Sequence, residues 1–218
     1  MGSSSYTAIK ICGLTVADQA AEVAAMGVEA VGIVGAKNSP RYVGDAQRRL
    51  MFSTLKATAP LVKRVWVVAN PEQSEIASAL KGEGLPSTIQ LHGHESPEYC
   101  AQLRREYPKI EWWKALRIRK ETDLNQIQGF KSHVDSLLID TWSPQQLGGT
   151  GHRLPLEWVK NLSIDRPWWL AGGISANCIQ EVISEVNPPG LDASSRLESS
   201  PGIKDLKKVK DLIKAIRH

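Results

Sequence analysis

Residues 8–34 read AIKICGLTVADQAAEVAAMGVEAVGIV, and the pattern of this stretch decides the fold class. Two short β-branched runs, Ala8–Cys12 and Ala30–Val34, flank a segment whose apolar residues Val16, Ala20 and Val23 recur at helical spacing. Thr15 is placed to cap this helix and Gly27 to stop it. Strand, helix and strand in so short a span make a βαβ unit with parallel strands. Such strands are buried on both faces, which is why they read as nearly continuous apolar runs.

The same alternation continues along the chain. Further strands are expected at Arg64–Ala69, Thr88–His92, Trp113–Ile118, Ser136–Asp140, Trp168–Ala171 and Leu191–Ala193. Ser96 followed by Pro97 is a cap with proline at the first helical position. Ser175 is placed to cap a helix carrying Ile179, Val182, Ile183 and Val186 on one side. Eight such units in 218 residues suit an α/β fold closed as a (β/α)8 (TIM) barrel. A doubly wound open sheet is the competing architecture. No linker divides the chain, so residues 8–218 are read as a single domain behind a short polar tail, residues 1–7.

Composition removes whole classes of function. With 42% hydrophobic and 23% charged residues, the chain is neither disordered nor fibrous. No apolar run approaches the roughly 20 residues of a membrane span, so no membrane association is expected. Three scattered cysteines suit a reducing compartment, and a cytoplasmic location is expected. The net charge of +4 invites a nucleic-acid reading, but six basic against two acidic residues after Ile203 account for all of it. There Leu206, Val209, Leu212, Ile213 and Ile216 fall at helical spacing, which places the lysines on a solvated outer face. No nucleic-acid partner is expected.

In a barrel, function concentrates at the C-terminal ends of the strands. Polar and glycine-rich residues do cluster there: Cys12-Gly13, Ser39-Pro40-Arg41, Asn70, His92-Gly93, Arg117 and Arg119, Asp140-Thr141, Gly172-Gly173, and Asp192 to Ser195. Lys10-Ile11-Cys12-Gly13, Ser39-Pro40-Arg41-Tyr42-Val43, Gln90-Leu91-His92-Gly93, Gly148-Gly149-Thr150-Gly151, Leu170-Ala171-Gly172-Gly173-Ile174 and Asp192-Ala193-Ser194-Ser195 occur in that order. So does Glu198-Ser199-Ser200-Pro201-Gly202. This ordered set resembles the motifs of the phosphoribosylanthranilate isomerases, a tryptophan-pathway family, over essentially the whole chain from Lys10.

The resemblance implies a cofactor-free Amadori rearrangement of an aminoaldose phosphate to an aminoketose. One group must hold a proton and another must lack one at the same pH. Cys12 is the implied base and Asp140 the implied acid. A thiol is mostly protonated at neutral pH, so the site is expected to lower the pKa of Cys12 through a cation such as Lys10 or Arg41. A partly desolvated Asp140 would retain its proton more readily. Arg41 suits the anthranilate carboxylate, since a guanidinium fork matches a carboxylate. Backbone amides of Gly172, Gly173, Ser194 and Ser195 suit the phosphate, with the serine hydroxyls adding donors. Asp192 is expected to orient the ribose and His92 to lie beside the substrate. The 148–151 stretch reads as a lid and lacks the pattern of a nucleotide-binding P-loop.

Each of these residues has a blander reading. Cys12 suits a small buried hydrophobe, as Cys100 and Cys178 are taken to be, and Asp140 a loop cap. His92 and His94 are too few for a metal site, so neither metal nor cofactor is expected. His152, Arg196, His94, Trp66 and Ala69 depart from the family pattern without removing a proposed catalytic group. The related histidine-pathway isomerases carry aspartate where Cys12 stands, and a phosphosugar-binding barrel without catalysis would need neither Cys12 nor Asp140. The expected partner is a small phosphosugar, and the expected state a monomer rather than a homodimer.

Overall fold

The computed structural model describes residues 6–141 and 154–217. Eight parallel strands close into a barrel: β1 (Ala8–Cys12), β2 (Ala30–Val34), β3 (Lys63–Val68), β4 (Thr88–Leu91), β5 (Glu111–Ile118), β6 (Ser136–Thr141), β7 (Trp168–Leu170) and β8 (Gly190–Ala193). Closure is made by β8 against β1, in the register Ala8↔Gly190 to Ile11↔Ala193. The competing open sheet is thereby excluded. Helices α1 (Ala17–Ala25), α2 (Asp45–Thr58), α3 (Gln73–Ala79), α4 (Pro97–Glu106), α5 (Gln126–Phe130), α6 (Leu156–Val159), α7 (Ile179–Glu185) and α8 (Leu206–Arg217) connect or follow the strands. Among the described residues, no helix is long and apolar enough to cross a membrane.

The strand alternation produces two cores. One set of side chains fills the barrel itself, including Ala30, Val65, Val67, Ala115 and Leu138, with Trp113 stacked on Trp169 at 4.8 Å between ring centroids. The other set, including Ile9, Ile11, Val31, Ile33, Leu137 and Ile139, packs outward against the helices.

Two expected caps fall elsewhere. The cap position of α1 is Val16, and Thr15 instead donates its hydroxyl to the Gly202 carbonyl at 2.9 Å. Helix α7 starts only at Ile179, because residues 175–178 form a turn in which Cys178 N–H donates to the Ser175 carbonyl. The Ser96 cap is present, with Tyr99 N–H donating to its hydroxyl at 3.2 Å. An antiparallel hairpin that the periodicity did not suggest, β9 (Glu198–Ser200) and β10 (Ile203–Lys204), follows β8. Lys204 is therefore no part of the solvated helix face: it is buried, whereas Lys207, Lys208, Lys210 and Lys214 are exposed.

Candidate active site

Strand period places the site. Lys10 and Cys12 are two apart on β1 and face the same way, and Lys10 stands opposite Asp192 across the closing seam. Lys10 Nζ donates to Asp192 Oδ2 at 2.9 Å, with the lysine side chain fully buried. Burial lowers Lys10, but Asp192 and then Cys12 more than offset this and hold it above its ordinary value. Burial also draws Asp192 toward its neutral form. The two tendencies disagree, and the 2.9 Å contact decides for the charged pair, since a neutral acid would leave a fully buried ammonium without a counterion.

Cys12 is buried at the end of β1, beside Gly32 of β2. A Cβ at position 32 would lie 2.6 Å from the thiol sulfur, so only glycine admits this side-chain position. The expectation of a lowered thiol pKa is corrected here. Burial, the strongest influence, pushes Cys12 above its ordinary value. Lys10 opposes that, Asp192 adds to it, and Lys204 opposes it again. Desolvation inside the barrel mouth outweighs the cations.

Asp140 is the penultimate residue of β6, three strands from Cys12 by way of β7 and β8. It is buried, and its Oδ1 accepts from Thr141 N–H at 2.8 Å. His92 Nε2 lies 3.4 Å from Asp140 Oδ2, within ion-pair distance but without hydrogen-bond geometry. The other imidazole nitrogen, Nδ1, contacts the Gln90 amide at 2.9 Å.

Arg41 reaches over Gly13, whose φ of +80° suits glycine. A Cβ there would meet Arg41 Cδ at 2.5 Å and Ser194 Oγ at 3.1 Å. Its guanidinium donates from Nε and Nη2 to the two carboxylate oxygens of Glu198, at 2.8 and 2.7 Å. Gly172 and Gly173 both have positive φ, and Ser194 leads into a single turn of 3-10 helix, Ser195–Leu197. The Ser194 hydroxyl is not a spare donor as expected, because its hydrogen is given to the Cys12 carbonyl at 2.9 Å.

One cleft at the C-terminal mouth of the barrel, about 680 Å³ including its open entrance, is lined by Cys12, Arg41, His92, Asp140, Gly172, Gly173, Asp192, Ser194 and Ser195. Every residue given a catalytic or substrate-binding role from sequence thus lines this cleft, with Gln90 and Arg196 beside them, whereas Asn70, Arg117 and Arg119, which also lie at strand ends, do not. Stretch 148–151 and His152 lie outside the described residues. Cys100 is on the buried face of α4, with its thiol pushed up to about 12 by desolvation. Cys178 donates to the Ser175 carbonyl at 3.3 Å. Neither lines the cleft.

Sequence reasoning gave no role to Glu198, Lys204 or Glu95. Glu198 and Lys204 lie on a hairpin with no periodic signal, and Glu95 binds backbone amides of two loops and Lys114 of β5, a grouping that no pattern along the chain discloses.

The profile of a family described as N-(5′-phosphoribosyl)anthranilate (PRA) isomerase matches residues 9–215. The N-(5′-phosphoribosyl)anthranilate isomerase of Thermosynechococcus vestitus is 42% identical over 208 residues, covering 94% of this chain and 88% of that one. The phosphoribosyl anthranilate isomerase of Thermotoga maritima superposes with a TM-score of 0.85 at 28% identity, covering 97% and 99% of the two chains. A phosphoribosyl anthranilate isomerase in complex with reduced 1-(o-carboxyphenylamino)-1-deoxyribulose 5-phosphate superposes at 0.79, also at 28% identity, over 97% and 99%. On the match of both sequence and fold over nearly its full length, the chain belongs to the N-(5′-phosphoribosyl)anthranilate isomerase family.

Proposed function

We propose that the chain converts N-(5-phosphoribosyl)anthranilate to 1-(2-carboxyphenylamino)-1-deoxyribulose 5-phosphate in tryptophan biosynthesis, with Asp140 as general acid and Cys12 as general base. The observation that carries this reading is the placement of a buried cysteine and a buried carboxylate on different walls of one cleft, each with its own supporting group. Lys10 stands behind Cys12, and His92 stands beside Asp140.

The sequence of steps follows from what each group can do. Asp140 delivers its proton to the furanose ring oxygen, the ring opens, and the nitrogen lone pair forms a Schiff base. Cys12, as thiolate, removes the C2 proton. The electrons move into the C1–C2 bond to give an enolamine, which tautomerises to the ketone. The thiolate is costly in this buried setting, and Lys10 is the strongest offset. Phosphate meets the backbone amides of Gly172, Gly173, Ser194 and Ser195, where glycine lets the main chain approach an anion closely. Arg41 receives the anthranilate carboxylate, and Asp192 faces the ribose.

The test is turnover with substrate generated in situ, followed by loss of anthranilate-type fluorescence. Cys12→Ser and Asp140→Asn, checked for folding by circular dichroism, are each expected to lose about 10²–10⁴-fold in kcat. Unchanged turnover in either folded variant removes that residue from its role, and no turnover by the folded wild type removes the substrate.

A further inference from the structure

Two cations and one carboxylate are buried together beside the candidate site and take no part in the proton transfers. Glu198 on β9 accepts both bonds of the Arg41 fork. Its Oε1 also accepts from Lys204 Nζ on β10 at 2.7 Å, and Lys204 donates in addition to the Ser194 carbonyl at 3.3 Å. The Lys204 side chain has no solvent exposure and that of Glu198 only 6%. Two turns of chemistry make this arrangement informative.

The first is geometric. A guanidinium has two edges that can each grip a carboxylate. Glu198 occupies the edge made by Nε and Nη2, and among the described residues Nη1 has no hydrogen-bond partner. The remaining edge, with Nη1 at its outer corner, belongs to a side chain that lines the cleft. Glu198 therefore fixes the guanidinium plane and leaves the free edge for a second carboxylate. The second is electrostatic. An arginine already paired to a glutamate is close to neutral from a distance and attracts a further anion weakly. Lys204 restores one net positive charge to the group.

We propose that the β9–β10 hairpin is the positioning device for carboxylate recognition in this site: Glu198 aims Arg41, and Lys204 keeps the Arg41–Glu198 pair attractive to an aromatic carboxylate. Both are positioning residues that act through Arg41. The proposal rests on the reading of Arg41 as the partner of the substrate carboxylate.

The experiment compares two ligands, the reduced product 1-(2-carboxyphenylamino)-1-deoxyribitol 5-phosphate and the same compound lacking the ring carboxylate. Dissociation constants are measured by calorimetry on the folded full-length chain. Lys204→Met is expected to weaken the carboxylated ligand about ten-fold and to leave the other within about two-fold, as removal of one nearby charge from a partly desolvated ion pair should. Lys204→Arg, which keeps the charge, is expected to restore the preference. Glu198→Gln, which cannot accept both bonds of the fork, is expected to narrow the same preference, and it answers separately should Lys204→Met not fold. Arg41→Met separates the two levels of the argument. If it abolishes the preference while the hairpin variants leave the preference intact, the reading of Arg41 stands and the positioning proposal fails. If Arg41→Met leaves the preference intact, both fail. Equal weakening of the two ligands by Lys204→Met also overturns the proposal, since it marks damage to the neighbouring Ser194 loop rather than carboxylate recognition.

Discussion

Lys10 shows how a single side chain carries both stability and chemistry. It is fully buried between an aspartate and a thiol, and it is the strongest influence opposing burial at Cys12. Lys10→Met removes that opposition, so the Cys12 thiol moves further up and the thiolate becomes rarer at any given pH. The base form of Cys12 is the active one in the proposed mechanism, so the rise of kcat/KM with pH should shift to higher pH in the variant. Activity at pH 7 should fall about ten-fold for each unit of that shift. A pH–rate profile checks this, with near-ultraviolet circular dichroism as the folding control, and an unshifted profile removes Lys10 from the role. Gly32→Ala tests the same atom sterically. The new methyl must displace the Cys12 sulfur from a 2.6 Å approach, and a displacement of that size at a proton-transferring atom should cost about 10²-fold in kcat.

At the scale of elements, the loops at the barrel mouth are held from below by one carboxylate. Glu95 accepts from Asn70 N–H after β3 at 2.7 Å and from Gly93 N–H after β4 at 3.0 Å. It also accepts from Lys114 Nζ on β5 at 2.7 Å. Burial raises its pKa, but Lys114 and the backbone donors more than offset this and hold it below the ordinary 4.5. A depressed carboxylate contributes stability that is present above its unfolded pKa and lost as pH falls through the folded one. Glu95→Gln leaves Lys114 buried without its anion and should cost about 3 kcal/mol at pH 7, read by urea unfolding. The wild type should lose that advantage below about pH 4.5, where the two proteins' midpoints should converge.

This network also marks the limit of what the sequence discloses. The barrel was legible because buried parallel strands must be apolar and their helices amphipathic, so period alone located all eight strands to within about two residues. The lining of the cleft was legible because Cys12, Asp140, Asp192 and the Gly172-Gly173 pair fall where strands end. Thr15 and Ser175 misled because a hydroxyl before a helix is as well satisfied elsewhere as by capping: Thr15 bonds a distant carbonyl, and the Ser175 hydroxyl contacts the Cys178 thiol at 3.8 Å. The pKa of Cys12 was not legible either. The cation beside it is visible in the sequence as Lys10, whereas the desolvation that outweighs it belongs to the closed barrel.

The whole molecule divides into a face for chemistry and a face for closure. The seam between β1 and β8 unites the first and last strands, and Lys10, Cys12, Asp192 and Ser194 all sit on it or at its end, so opening the barrel dismantles the site. At the opposite end the chain is fastened where strands begin. Arg217, near the end of α8, donates to the Thr7 carbonyl at 2.8 Å and to Glu29 just before β2 at 3.0 Å. Glu29 in turn accepts from Ile9 N–H and from the Tyr6 hydroxyl, so Tyr6 and Thr7 are part of the body rather than a loose tail. The side chains of Arg217 and Glu29 are about one quarter exposed, which limits their attraction. Arg217→Ala should therefore lower stability by about 1 kcal/mol and Tm by about 2–4 °C in a single transition. The clasp lies at the strand N-termini, away from the cleft, so kcat/KM should be unchanged at temperatures where both proteins are folded. Calorimetry and turnover on the same preparation decide the matter. A drop in kcat/KM without loss of Tm would mean that the seam transmits strain from one face to the other, and that the two faces are not separable.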